Sequence, residues 1–63
     1  MELSKALKKA KGKSVKRPQW ENKEVFTKAD GNWEVYKIKE KGIAQNYVPE
    51  FEDMFAKDWD VID

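Results

Sequence analysis

The fold is decided by the middle of the chain, residues 25–48, VFTKADGNWEVYKIKEKGIAQNYV. β-Branched and aromatic residues mark three strand candidates in it: Val25–Lys28, Trp33–Glu40 and Ile43–Val48. Residues 29–32 and 41–42 separate them and contain Gly, which accepts the positive φ angles of tight turns. The pattern predicts antiparallel strands joined by short turns. Imperfect alternation within residues 33–40 predicts a bulge or burial on both faces.

A short amphipathic helix precedes these strands. Four apolar residues recur at helical spacing and form one stripe: Leu3, Ala6, Leu7 and Ala10. Ser4 is a candidate N-cap, and Gly12 is a candidate residue just past the C-terminus. Because so short a helix is unstable alone, its stripe must pack on other elements, and a sheet is expected. A further strand is predicted at Ser14–Arg17, where Pro18 stops it.

The C-terminal residues predict a second helix and a last strand. Pro49 suits the first position of a short helix, on which Phe51, Met54 and Phe55 share one face. Trp59–Ile62 is the closing strand candidate.

The predicted fold class is therefore α+β, in one domain over residues 1–63. An N-terminal helix packs on a small, mostly antiparallel sheet of four to five strands, and a short helix precedes the last strand.

Composition excludes several classes of function. The 63 residues include no Cys and no His, so disulfides, Cys/His zinc sites, Cys nucleophiles and histidine acid–base catalysis are impossible. The three glycines lie apart, and no phosphate-binding glycine loop is present. We therefore expect no enzyme, no catalytic residue, no metal and no cofactor. The sequence shows no transmembrane run and no secretory h-region, and a cytoplasmic location is expected.

Small size and many aromatic residues favour self-association. A chain of this length buries only about 60% of its unfolded surface. It usually needs further stabilisation by a disulfide, a metal or a partner subunit. Eight aromatic side chains are a large apolar load for 63 residues and suit a core that continues into a subunit interface. We expect a homo-oligomer, with an idealised monomer as the alternative.

Charge is distributed unevenly along the chain. Residues 1–17 carry an excess of six positive charges, residues 18–49 balance, and residues 50–63 carry an excess of five negative charges. The N-terminal lysines could make the protein a small nucleic-acid-binding module. The segment has no interleaved aromatic residue, however, so a solvated helix face is favoured and nucleic acid is not the expected partner.

The clearest candidate binding segment is residues 17–23, RPQWENK. An indole can stack on a base, Arg17 and Lys23 can pair with phosphate, and Asn22 can read a base edge or a ribose. Composition alone favours a core or interface position for Trp20 over a ligand contact. Asp53 can orient a backbone N–H, and Trp59 is by default a core anchor.

Both ends of the chain resemble one family. The stretch Tyr47–Val61 resembles the closing motif of the phage Thoeris anti-defence sponges, Trp-x-Pro-Ser-x-x-Asp-Met/Leu-Leu-Ala-x-Asp-Trp. The positions that match are Pro49, Asp53, Met54, Ala56, Asp58 and Trp59. The opening is similar too, at Ala6-Leu7, Gly12-Lys13, Val15, Arg17 and Trp20-x-x-Lys23. Tyr47 stands where the family usually has Trp, and residues 24–46 are shorter and match poorly.

The resemblance implies a non-enzymatic protein that sequesters a nucleotide-derived immune signal, a cyclic ADP-ribose isomer or a cyclic dinucleotide. It implies homo-oligomers with ligand pockets between subunits, no membrane association, and action in the cytoplasm of the host bacterium. The candidate ligand-binding residues are Arg17, Trp20, Asn22, Lys23, Asp53 and Trp59. The alternatives are a nucleic-acid-binding module that uses the N-terminal lysines and a protein–protein inhibitor of a host factor.

Overall fold

A computed structural model of the chain, which describes residues 1–62, confirms the α+β class. An N-terminal helix, a five-stranded sheet and a short helix before the last strand follow one another along the chain. The elements are α1 (Leu3–Ala10), β1 (Val15–Lys16), β2 (Lys23–Asp30), β3 (Trp33–Glu40), β4 (Ile43–Asn46), α2 (Phe51–Phe55) and β5 (Asp60–Val61). No helix within residues 1–62 is long and apolar enough to span a membrane.

The sheet has the strand order β4-β3-β2-β1-β5, and every neighbouring pair is antiparallel. The β2–β3 hairpin is its longest ladder, and it pairs without interruption from Lys23↔Glu40 to Asp30↔Trp33. Of the two alternatives predicted for residues 33–40, the bulge is therefore wrong. Residues 35–38 are instead all partly buried, so both faces of β3 carry packed side chains.

Two tight turns set this register. Gly31 has a φ of 63° in the two-residue turn that joins β2 to β3. Between β3 and β4, Lys41 and Gly42 both have positive φ angles, 53° and 82°. Two consecutive positive φ angles are typical of a type I′ turn, whose twist matches that of antiparallel strands.

Helix α1 covers one face of the sheet with the predicted stripe. Leu3, Ala6, Leu7 and Ala10 are all buried, together with Val15 and Val25 of the sheet. Ser4 is not the N-cap, because Leu3 must already lie in the helix to reach the core, and Glu2 takes the cap position. Gly12 follows the left-handed Lys11 with a φ of 90° and ends the helix as predicted.

Several predicted boundaries shift. β1 is shorter than Ser14–Arg17, and β2 begins earlier than predicted, at Lys23. β4 ends at Asn46, before Val48. In α2 the extended Glu50 is the N-cap, so Pro49 lies before the helix and is not its first residue.

The C-terminal segment packs against the core and is hydrogen-bonded to the N-terminal part of the chain. The backbone N–H of Trp59 donates to the carbonyl of Met1 at 3.1 Å, and that of Ile62 donates to the carbonyl of Ser14 at 2.8 Å. These bonds bring Trp59 into the core beside α1, where its side chain is fully buried. Helix α2 itself has no buried residue.

Candidate functional site

Arg17 lies directly after β1 and is enclosed by acidic groups. Its Nε donates to Oδ1 of Asp58 at 2.9 Å, and its Nη1 donates to Oδ1 of Asp53 at 3.0 Å. Glu52 adds a longer contact at 3.6 Å. The Arg17 side chain is only 12% exposed, and the hydrogen bond to Asp58 raises the pKa of its guanidinium. In the single chain, therefore, the charge of Arg17 is compensated internally.

Asp53 is the centre of this network. Besides the hydrogen bond from Arg17, its carboxylate accepts one from the Tyr47 hydroxyl, with 2.9 Å between Oη and Oδ2. Its backbone carbonyl accepts a hydrogen bond from Nε1–H of Trp59 at 2.7 Å. Burial first, and then the hydrogen bond to Asp53, raise the pKa of Tyr47 above its ordinary value of 10.0. Asp53 thus accepts side-chain donors, where the sequence suggested that it orients a backbone N–H.

The two tryptophans of the candidate site lie in the core. Their rings meet edge to face, with centroids 4.9 Å apart and planes at 86°. Trp20 is 8% exposed, and Nζ of Lys23 lies 4.5 Å from its ring centroid. The single chain therefore offers little of the Trp20 ring to a stacking base. Both tryptophans anchor the segments that follow β1 and α2.

Asn22 and Lys23 belong to a different surface, an open concavity of about 460 Å³ that we call the lysine basin. Its lining residues come from β1, β2, β3, the turns beside them and the residue after β5: Lys16, Glu21, Asn22, Lys23, Glu24, Lys39, Lys41, Gly42 and Ile62. Four lysines against two glutamates leave an excess of two positive charges. Because side chains alternate along a strand, Glu24 and its partner Lys39 lie on the face of the sheet opposite α1.

A larger groove of about 770 Å³ lies near the β2–β3 turn. It is lined by Lys28 and Lys37 but also by Asp30 and Glu34, so its charges balance. None of the six candidate ligand-binding residues lines it. For an anionic ligand, charge favours the lysine basin although the groove is larger.

The structure thus divides the candidate residues into two groups. Arg17, Asp53 and Trp59 are joined through hydrogen bonds in a part-buried network, and Trp20 packs on it. Asn22 and Lys23 line the basin, and Lys23 also contacts Trp20.

Sequence reasoning did not place Tyr47, Lys16, Lys39 or Lys41 in either group. The spacing of Lys37, Lys39 and Lys41 along one strand and turn was the available signal for a basic face. Within residues 1–62, no group of three or more Asp and Glu side chains is arranged to hold a metal ion.

Comparison with known families agrees with the motifs at the two chain ends. The sequence matches the Thoeris anti-defense 2-like domain over residues 1–62. The match includes residues 24–46, where the resemblance is poorest. No curated protein matches the chain. Because the family match covers nearly the whole sequence, the protein belongs to the Thoeris anti-defense 2-like domain family and has an anti-defence role.

Proposed function

We propose that this protein binds a nucleotide-derived immune signal and holds it without chemical change. The signal is a cyclic ADP-ribose isomer or a cyclic dinucleotide, and its removal blocks bacterial anti-phage defence in the host cytoplasm. Sequestration requires affinity and abundance, and it requires no catalytic group. A chain without Cys and His is sufficient for it.

The lysine basin is the observation that carries this proposal. Its volume of about 460 Å³ lies within the range of about 300–1,000 Å³ typical of small-molecule sites. Lys39 and Lys41 can donate to phosphate oxygens, and the Asn22 carboxamide can donate to and accept from a base or a ribose. The net positive lining matches the two phosphates that these signals carry.

The basin is open, and enclosure of a ligand requires a second wall. Small-molecule sites bury about 70–90% of the ligand surface, which the shallow face of one small sheet does not achieve. We therefore place the complete pocket between subunits of a homo-oligomer, a dimer or a tetramer. In this arrangement Arg17, Asp53 and Trp59 hold the protomer in shape, while Asn22 and Lys23 contact the ligand.

Calorimetric titration with cyclic ADP-ribose isomers and cyclic dinucleotides tests the proposal. The informative variant is Lys39→Gln combined with Lys41→Asn, because Lys41 has a positive φ that Asn tolerates. Each lysine that meets a phosphate contributes about 1.5–3 kcal/mol, and the two together contribute about 3–6 kcal/mol, so affinity should fall by about 100-fold or more.

Lys8→Gln with Lys9→Gln is the matched control, since it removes the same net charge from exposed positions of α1. We expect this control to bind as the wild type does. Equal losses of affinity in both double variants would contradict the basin. Absence of binding to every tested signal would contradict the proposed function.

A further inference from the structure

Helix α2 has the reverse orientation of an ordinary surface helix. Its carboxylate Asp53 points inward to Arg17 and Tyr47, while Phe51 and Phe55 point to solvent. An amphipathic helix normally buries its apolar stripe and exposes its charges. The four hydrogen bonds and ion pairs made by Asp53 and Glu52 hold the helix in this orientation.

Four large apolar residues in α2 and just before it are exposed, and together they define the α2 patch: Val48, Phe51, Met54 and Phe55. Phe51 is 78% exposed and Phe55 is 63% exposed. Their rings stack in parallel, with centroids 6.2 Å apart and planes at 2°. A preformed, flat aromatic surface of this kind marks an interaction site.

We propose that the α2 patch is the docking surface for a second copy of this chain. The proposal rests on the homo-oligomer of the proposed function and adds which surface forms it. The two exposed rings contribute about 250–300 Å², since a Phe side chain buries about 150–250 Å² when fully covered. Val48 and Met54 bring the patch to roughly 400–450 Å² per copy. The total surface buried by two such patches, together with the residues around them, therefore reaches about 1,000 Å², which is the lower limit of a specific interface.

Charge around the patch selects a twofold, antiparallel arrangement of two α2 helices. Glu50 and Glu52 lie at the N-terminal end of the helix, and Lys57 lies just past its C-terminal end. A twofold axis across the helix brings the glutamates of one copy to Lys57 of the second copy and opposes the two helix dipoles. A parallel arrangement would place like charges together.

The same charges argue against other occupants. The acidic rim formed by Glu50 and Glu52 repels the phosphates of nucleic acids and of anionic lipids. The patch consists of large apolar side chains and offers Phe51 and Phe55 for self-complementary stacking. A second identical patch is the simplest complementary partner, because an isologous contact uses the same residues on both sides.

Sedimentation velocity of the ligand-free full chain tests the surface. We expect the wild type to form dimers or larger species and Phe51→Ser with Phe55→Ser to weaken association at least tenfold. Trp33→Ser with Ile43→Ser is the matched control, because these residues are 78% and 62% exposed and lie in the sheet, outside the α2 patch. Circular dichroism verifies that both variants are folded.

Crosslinking tests the arrangement in a variant that keeps both phenylalanines of the patch. The chain has no Cys, so a single Met54→Cys substitution introduces the only thiol. With a short bis-maleimide, Met54→Cys should give a covalent dimer, whereas Trp33→Cys should give far less. A monomeric wild type, or unchanged association in the Phe51/Phe55 variant, would overturn the proposal. Crosslinking through Trp33→Cys in place of Met54→Cys would do the same.

The outcome is separable from that of the proposed function. A ligand-free dimer that depends on Phe51 and Phe55 supports the surface even if no nucleotide binds. Conversely, nucleotide binding by a wild-type monomer would support sequestration and refute this interface.

Discussion

Replacement of Trp59 by Phe tests how the C-terminal segment is held. Trp59 is fully buried, and its Nε1–H donates to the carbonyl of Asp53 at 2.7 Å. That carbonyl lies in α2, a helix of five residues that cannot persist without tertiary contacts. Phe keeps an aromatic ring in the core but removes the donor. The substitution therefore isolates the hydrogen bond and the outer part of the indole.

The magnitude follows from two contributions. Loss of the donor leaves a part-buried carbonyl without this partner, which costs about 1–3 kcal/mol. The smaller ring leaves roughly 40 Å³ unfilled, which at about 24 cal/mol per Å³ adds about 1 kcal/mol. We therefore expect Trp59→Phe to lower the free energy of unfolding by about 2–4 kcal/mol. A chain of this length has a total of only about 3–9 kcal/mol.

The assay is urea denaturation followed by far-ultraviolet circular dichroism, at one protomer concentration because association contributes to stability. Trp33→Phe is the control, since Trp33 is largely exposed and the change should stay within about 0.5 kcal/mol. Amide hydrogen exchange should also show faster exchange in α2 of Trp59→Phe. A destabilisation below about 0.5 kcal/mol, or one equal to that of the control, would refute the reasoning.

Two further predictions concern Tyr47 and the β3–β4 turn. Tyr47→Phe should destabilise the protein by about 1 kcal/mol at pH 8, because it removes the hydrogen bond to Asp53. Since the folded-state pKa of Tyr47 is raised above 10.0, its contribution is complete below that pH and is lost as the pH rises further. Thermal melts of both proteins from pH 8 to 11 should therefore converge, and a constant difference would contradict this reading. Lys41→Asn should raise the free energy of unfolding by about 0.5–1 kcal/mol, because Asn tolerates the φ of 53° better than Lys does. A lower melting temperature of this variant would show that the turn is not under this strain.

The order of helices and strands was predictable because each element carries its own local signal. The stripe from Leu3 to Ala10 defined α1, and the residues of the two tight turns defined the hairpins. Errors occurred where local and long-range preferences compete. Ser4 is a good N-cap residue, but burial of Leu3 extends the helix past it. The mixed pattern of β3 left a bulge and burial on both faces as alternatives, and the regular pairing with β2 over eight residues excludes the bulge.

The candidate site was less predictable, because adjacency in the sequence does not imply one surface. Trp20 and Asn22 are two residues apart, yet Trp20 packs in the core and Asn22 lines the lysine basin. Arg17 carries the charge that suits a phosphate, but Asp58, 41 residues away, accepts its hydrogen bond. Neither arrangement can be derived from residues 17–23 alone.

Local chemistry in the sequence was therefore sufficient for the fold class, for the absence of Cys and His chemistry, and for the family motifs at both ends. Only the tertiary structure decided which charges remain available. It pairs Arg17 with Asp53 and Asp58, leaves Lys39 and Lys41 of the basin exposed, and turns Phe51 and Phe55 to solvent. The physical reason is that helix and turn signals act between near neighbours, whereas burial and ion pairing depend on contacts between distant segments.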